Sequence, residues 1–300
     1  MEQQSNLELQ LGGPSVSLEE AYAYCEKLTR SHYENFPVGS LLVPRRIRPH
    51  VHAIYAFARL ADDMADEPGL NPDERLEQLE VWEALLDKCR REPTGPVFTA
   101  LGHTLVSQQL PIQLLRDLLT AFRLDVSRNR HESLEALRDY CIFSAHPIGR
   151  LMLHLFGYRS DEAGRQSDAI CAALQLANFW QDIAVDYGRD RIYLPQREMA
   201  GFGIGEETLK NGQATPGFRH LLAHLVSHTQ ELFDEGRPLL LTVRGRLRYE
   251  LRVTWLGGVE ILRKLAQCDY DVFHHRPHIG KGDLPRLLCR ALWPVGWHPS

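Results

Sequence analysis

Ala53-Ile54-Tyr55-Ala56-Phe57-Ala58-Arg59-Leu60-Ala61-Asp62-Asp63-Met64-Ala65-Asp66 is apolar over most of its length and then presents acids one turn apart. Ala172-Ala173-Leu174-Gln175-Leu176-Ala177-Asn178-Phe179-Trp180-Gln181-Asp182-Ile183-Ala184-Val185-Asp186 repeats the pattern. A helix that is apolar on almost every side belongs in an interior. A carboxylate buried there is costly unless it is paired, hydrogen-bonded or bound to a metal. Two such helices in one chain predict a helical core whose acids face each other across a cavity and hold cations.

The rest of the chain reads as helix around these two. Ser17-Leu18-Glu19-Glu20 is a capping box opening a helix that runs into the mid-30s. Asn71-Pro72-Asp73-Glu74 joins an N-cap, a proline at the first helical position and an early acid, which predicts a helix over about 72–91. Pro111, Ser133, Ser160 and Thr215-Pro216 mark further starts. The expected helices cover about 96–108, 111–128, 133–156, 161–187, 216–235 and 246–268. Sustained period-2 alternation and hairpin signals are absent. Residues 188–217 are polar, glycine-rich and helix-poor, a stretch long enough for a functional loop or lid. The expected fold is all-α: one domain over 17–300, a bundle of about ten helices, behind a tail over 1–16 expected to be disordered.

Composition narrows the class. With 44% hydrophobic and 24% charged residues the chain is that of a globular protein, and a net charge of −5 gives no basic surface for nucleic acid. The six cysteines have no CxxC spacing and read as free thiols in a reducing cytoplasm. No apolar run reaches the ~18 residues of a transmembrane helix, and the polar start lacks the features of a signal peptide.

Chemistry concentrates at the acids. Asp62 and Asp66 share a helix face, with Asp63 to one side; Asn178, Asp182 and Asp186 form one stripe at i, i+4 and i+8. Every group in these stripes offers oxygen, which suits Mg²⁺ or Mn²⁺ and not zinc. Mg²⁺ bridges carboxylates to phosphate oxygens, and the apolar walls beside the stripes suit a hydrocarbon. Together they imply metal-assisted loss of diphosphate from a lipid-like substrate, with several ions and a carbocation held in a dry pocket. Arg59, one turn before Asp62, is equally an intrahelical ion-pair partner and a phosphate ligand. Arg191, beyond Asp186 and before Ile192-Tyr193-Leu194-Pro195, offers the planar fork that suits phosphate. His32 and Asn35 are candidate phosphate donors, and His274-His275-Arg276 reads as a solvated or phosphate-facing loop.

These residues resemble the squalene/phytoene synthases, isoprenoid enzymes that join prenyl diphosphates head to head. The resemblance runs from Ser17 to about Lys281 and rests on Tyr55–Asp66, on Asn178–Asp186 and on Arg191-Ile192-Tyr193-Leu194-Pro195. It implies a Mg-diphosphate cavity in an isoprenoid-synthase bundle. Metal binding is carried over to Asp62, Asp63, Asp66, Asn178, Asp182 and Asp186. Diphosphate and substrate contacts are carried over to His32, Asn35, Tyr55, Arg59, Arg191 and Arg276. Tyr193 becomes a catalytic flap residue, and Tyr140, Ala145 and Gly149 become cavity lining in a Tyr140–Gly149 stretch that resembles the family's helix-break segment.

His32–Ser40 and Asn178–Asp182 are similar to the hopanoid-pathway branch, the hydroxysqualene synthases. Those enzymes ionise presqualene diphosphate and quench the rearranged cation with water, which implies no need for NADPH. The commoner family pattern has Arg where Gln181 stands and Glu where Val185 stands. This less charged cluster fits a substrate with one diphosphate.

Two other readings compete: a head-to-head prenyl transferase making presqualene diphosphate, squalene or phytoene, and a non-catalytic α-helical adaptor. The expected partner is a prenyl diphosphate. The Leu, Trp and Arg of 284–297 allow either peripheral contact with a membrane or a last core-packing helix. Association with other enzymes of squalene synthesis is also open.

Overall fold

The computed structural model describes residues 13–14, 16–31, 43–67 and 69–292; His32, Asn35 and most of the tail lie outside them. Among the described residues the structure is helical and no strand forms; one isolated bridge joins Arg130 and Ile192. No helix there is long and apolar enough to cross a membrane. The chain packs as two compact units, residues 1–127 with 147–159 and residues 128–146 with 160–300.

Unit 1 contains α1 (Leu18–Ser31), α2 (Arg48–Asp66), α3 (Pro72–Lys88), α4 (Gly95–Ser107) and α5 (Gln113–Ser127). Two predicted start signals act as capping boxes. The Ser17 hydroxyl accepts from the Glu20 N–H while Glu20 accepts from the Ser17 N–H. Asn71 and Glu74 satisfy each other's N–H groups in the same way. The core centres on Phe57, Trp82 and Phe98, with Trp82 edge-on to Phe98 at 4.5 Å between centroids. α4 comes so close to the end of α3 that a Cβ at Gly102 would lie 2.0 Å from the Cys89 carbonyl oxygen, so only glycine fits.

Unit 2 contains α6 (Leu134–Ser144), α8 (Asp161–Tyr187), α9 (Gln196–Gly201), α10 (Glu206–Lys210), α11 (Pro216–Gly236), α12 (Leu239–Thr242), α13 (Gly245–Gln267) and α14 (Asp283–Leu292). α8 is the axis. The Ser160 hydroxyl caps it by accepting from the Ala163 N–H, and it ends at Gly188. Trp180 Nε1 donates to the Thr229 hydroxyl at 2.8 Å, which fixes its rotation against α11.

The helix expected over 133–156 is broken. It ends at Ser144, and α7 (His146–Leu155) begins two residues later, its residues from Pro147 onward packing with unit 1. Pro147 has no N–H and its ring would meet the carbonyl of Phe143, whereas in the first turn of a new helix neither costs anything. The 188–217 stretch is not featureless either: it folds into α9 and α10, each under two turns.

Glu250, in α13, is buried, its Oε2 has no hydrogen-bond partner, and burial lifts its carboxyl to about 7. A carboxyl whose folded value lies above its unfolded one stabilises the fold most when protonated. Its contribution is complete below about pH 4.5 and is lost as pH rises through about 7, a change of about 3 kcal/mol. Glu250→Gln is therefore expected to raise the melting temperature at pH 8 by several degrees and to change it little at pH 5. Melting curves at the two pH values check this.

Candidate active site

In unit 1 the first acid stripe closes α2. Arg59 reaches both acids beside it, Asp63 at 2.6 Å and Asp62 at 3.4 Å. The buried face of α2 carries Ala53, Ile54, Ala56, Phe57, Ala61 and Met64, so the acids emerge on the other side. Their side chains are 44% (Asp62) and 38% (Asp63) exposed, and Asp66 is exposed as well. The expectation of acids on a fully buried helix is thus corrected: α2 has one open face, and water meets the cost of the charges there. Tyr55 stands one turn before Arg59, partly buried, and burial raises its hydroxyl above the ordinary value. Gly149, predicted as lining, is partly exposed.

In unit 2 the second stripe lies on α8. Asn178 is exposed, while Asp182 and Asp186 are partly buried. The late Arg276 closes over them: its Nε donates to Asp182 Oδ1 at 2.6 Å and its Nη2 to Oδ2 at 3.1 Å. This two-pronged grip is the geometry with which arginine holds a carboxylate or a phosphate. Asp186 lies deeper. Burial first, and the like charge of Asp182 second, push its carboxyl up to about 6, against the opposing pull of Arg189, Arg191 and Arg276. Two carboxylates and three arginines meet here, and at Asp186 burial outweighs the pull of the arginines.

The 189–195 segment is pinned over the same face. Asp190 sits at φ 58°, a left-handed conformation, where it bonds to Arg130 at 2.8 Å and to Asn129 at 3.0 Å. Ile192 N–H donates to the Asn129 carbonyl, and Gln196 N–H to that of His131. Held in this way, Tyr193 stacks on Phe179 with ring centroids 3.7 Å apart and planes 7° from parallel. Tyr140 and His131 complete an aromatic group around it. Phe179, Ile183, Asp186, Arg191 and Tyr193 border a crevice of about 10 Å³, room for about one water molecule. Ala145, predicted beside Tyr140 as lining, is buried.

Unit 1 thus brings together Tyr55, Arg59, Asp62 and Asp63. Unit 2 brings together Asp182, Asp186, Arg191 and Arg276 beside Tyr140 and Tyr193. His274 is taken up by Asp271 at 3.0 Å, as expected of a loop residue rather than a metal ligand. A larger cavity in unit 2, about 360 Å³ between α6, α8 and α11, contains none of the predicted site residues.

Sequence reading missed His131, which is buried, stacked on Tyr193, and pushed down to about 4 by burial. It also missed the Arg130 clasp on the flap. Both belong to a polar connection before the Ser133 cap, where no local signal marks a contact 60 residues away.

The donor set fits magnesium. It is oxygen throughout, and Asp186 is a buried carboxyl beside a second carboxylate, a pairing that a divalent cation would relieve. Among the described residues no three His, Cys, Asp or Glu side chains form a ready-made cage. Mg²⁺ needs none: one or two carboxylates with phosphate oxygens and water complete its shell.

A profile of the squalene/phytoene synthase family matches residues 29–283. The hydroxysqualene synthase of Rhodopseudomonas palustris is 37% identical over 238 residues, 79% of this chain and 80% of that protein. The crystal structure of squalene synthase HpnC from Alicyclobacillus acidocaldarius superposes with a TM-score of 0.81 at 42% identity, covering 84% of this chain and 95% of that one. A ligand-bound dehydrosqualene synthase superposes at 0.82 with 25% identity, over 95% and 98% of the two chains. The two acid stripes, the fold that carries them and these similarities agree: the chain belongs to the squalene/phytoene synthase family.

Proposed function

We propose that this chain is a hydroxysqualene synthase in squalene and hopanoid synthesis. It ionises presqualene diphosphate, lets the cation rearrange and captures it with water, and residues 17–300 act as one catalytic domain. The observation that carries the reading is similarity to a hydroxysqualene synthase across about four-fifths of both chains, 79% and 80%. In the reaction the carbon–oxygen bond breaks and its electron pair leaves with diphosphate. Water then forms a new carbon–oxygen bond and gives up a proton. Bound Mg²⁺ would neutralise the charge that develops on the departing diphosphate.

The chain's own residues do the rest. Asp62, Asp63 and Asp66 on α2 and Asn178, Asp182 and Asp186 on α8 hold the ions. Arg59, Arg191 and Arg276, with His32 and Asn35, bind phosphate oxygens. Arg276 exchanges the Asp182 carboxylate for phosphate, which frees Asp182 for a cation. Tyr193, stacked on Phe179, presents an aromatic face to the cation. The hydrocarbon lies against Tyr55, Tyr140, Ala145 and Gly149. Capture by water calls for no NADPH, and the enzyme works in the cytoplasm, on the inner side of the membrane, where substrate and product are both lipids.

The test is incubation of the purified chain and Mg²⁺ with presqualene diphosphate, and separately with farnesyl or geranylgeranyl diphosphate. Hydroxysqualene from the first alone is expected. Presqualene diphosphate or phytoene formed from the others would make the chain a head-to-head prenyl transferase instead.

A further inference from the structure

The exposed apolar side chains late in unit 2 gather at one end. Leu241 in α12 is 57% exposed, Tyr249 in α13 39%, and Leu288 and Leu292 in α14 41% and 67%. α14 runs antiparallel to α13. Lys264 Nζ bonds to Asp283 Oδ2 at 2.5 Å, Arg286 pairs with Glu260, and Arg252 Nη1 donates to the Ala291 carbonyl at 3.1 Å. These pairings set the last turn of α14 beside the first turns of α13, against which α12 also packs. The apolar stripe of α14 is wider than α13 covers: Leu287 and Ala291 are buried, while Leu288 and Leu292 on its edge face solvent.

The same end is basic. Between residues 237 and 252 the chain has five arginines, of which Arg252 is buried, and one acid, Glu250, in a protein whose net charge is −5. That acid is buried, and burial favours its neutral form. Arg244, Arg246 and Arg290 are exposed. A single exposed leucine needs no explanation. Several at one end of a bundle, among arginines, match a surface that seats its apolar groups at the headgroup boundary of a bilayer and its cations on anionic lipid.

We propose that the end of unit 2 built from α12, the start of α13 and the end of α14 docks on an anionic phospholipid membrane. Leu241, Tyr249, Leu288 and Leu292 enter the interface, and Arg244, Arg246 and Arg290 engage the headgroups. The proposal deepens the reading of an enzyme with lipid substrate and product, yet its test needs no substrate. Failure to bind vesicles would leave the catalytic reading standing, and a different product would leave the surface standing.

The test is flotation of the full chain with phosphatidylcholine vesicles, with and without added phosphatidylglycerol. Binding is expected to the anionic vesicles and to weaken with salt. Leu288→Asp with Leu292→Asp should abolish it. Arg246→Gln with Arg290→Gln should weaken it roughly twenty-five-fold, about fivefold for each arginine. Val106→Asp, at an exposed position of unit 1, should leave it unchanged. Because all these side chains are exposed, circular dichroism should show each variant folded. No binding of the unaltered chain to anionic vesicles, or equal binding by the leucine variants, would overturn the proposal. So would a dimer that the leucine substitutions dissociate, since the face would then serve a second copy of the chain.

Discussion

Asp182→Ala is expected to lower turnover of presqualene diphosphate by roughly a thousandfold or more, while the melting temperature moves by only a few degrees. The two effects separate because the carboxylate serves a cation more than the fold. Its side chain is 15% exposed, it carries the ion pair to Arg276, and its charge helps push Asp186 up to about 6. Removing it relieves that repulsion and releases an arginine that is itself 55% exposed and readily hydrated. What is lost is an oxygen ligand where the departing diphosphate must be neutralised. Asp62→Ala should act in the same direction, since Asp62 sits on the open face of α2 and holds Arg59 only at 3.4 Å. Initial rates and thermal melts on the same preparations check both. Early melting with normal turnover of the folded protein would make the acids structural.

Removal of divalent cations should be equally severe. Chelation with EDTA is expected to abolish turnover, and Mg²⁺ or Mn²⁺, but not Zn²⁺, to restore it. The ligand chemistry decides it: the stripes offer carboxylate oxygen and, at Asn178, amide oxygen, with no imidazole or thiolate to favour zinc. The arginine grips on Asp182 and Asp63 mean that the ions compete with guanidinium for oxygen, so saturation should occur at lower metal concentration when a diphosphate is present. Turnover that survives chelation would remove the metals from the account.

The long helices were legible because their signals are local. α8 runs over the predicted 161–187, with a serine cap at one end and glycine at the other. α11 and α13 depart from expectation by a residue at each end or less. The break before Pro147 falls inside Tyr140–Gly149, where the family resemblance put a helix break, although the local signals alone gave one helix over 133–156. The acid stripes and the aromatic residues beside them could be read because i, i+4 spacing places residues on one face. Their exposure could not: whether a mostly apolar helix keeps one side open depends on what packs around it. Nor could the partners. Arg276 meets Asp182 across 94 residues, and Arg130 meets Asp190 across 60, and no helical period connects either pair.

In the proposed reaction water captures the cation that diphosphate leaves behind. The direct measurement is turnover of presqualene diphosphate in ¹⁸O-labelled water, with and without NADPH, followed by mass spectrometry of the product. The expected product is hydroxysqualene carrying one solvent oxygen, formed equally in both reactions. An alcohol without the label, or squalene that forms only when NADPH is present, would contradict it.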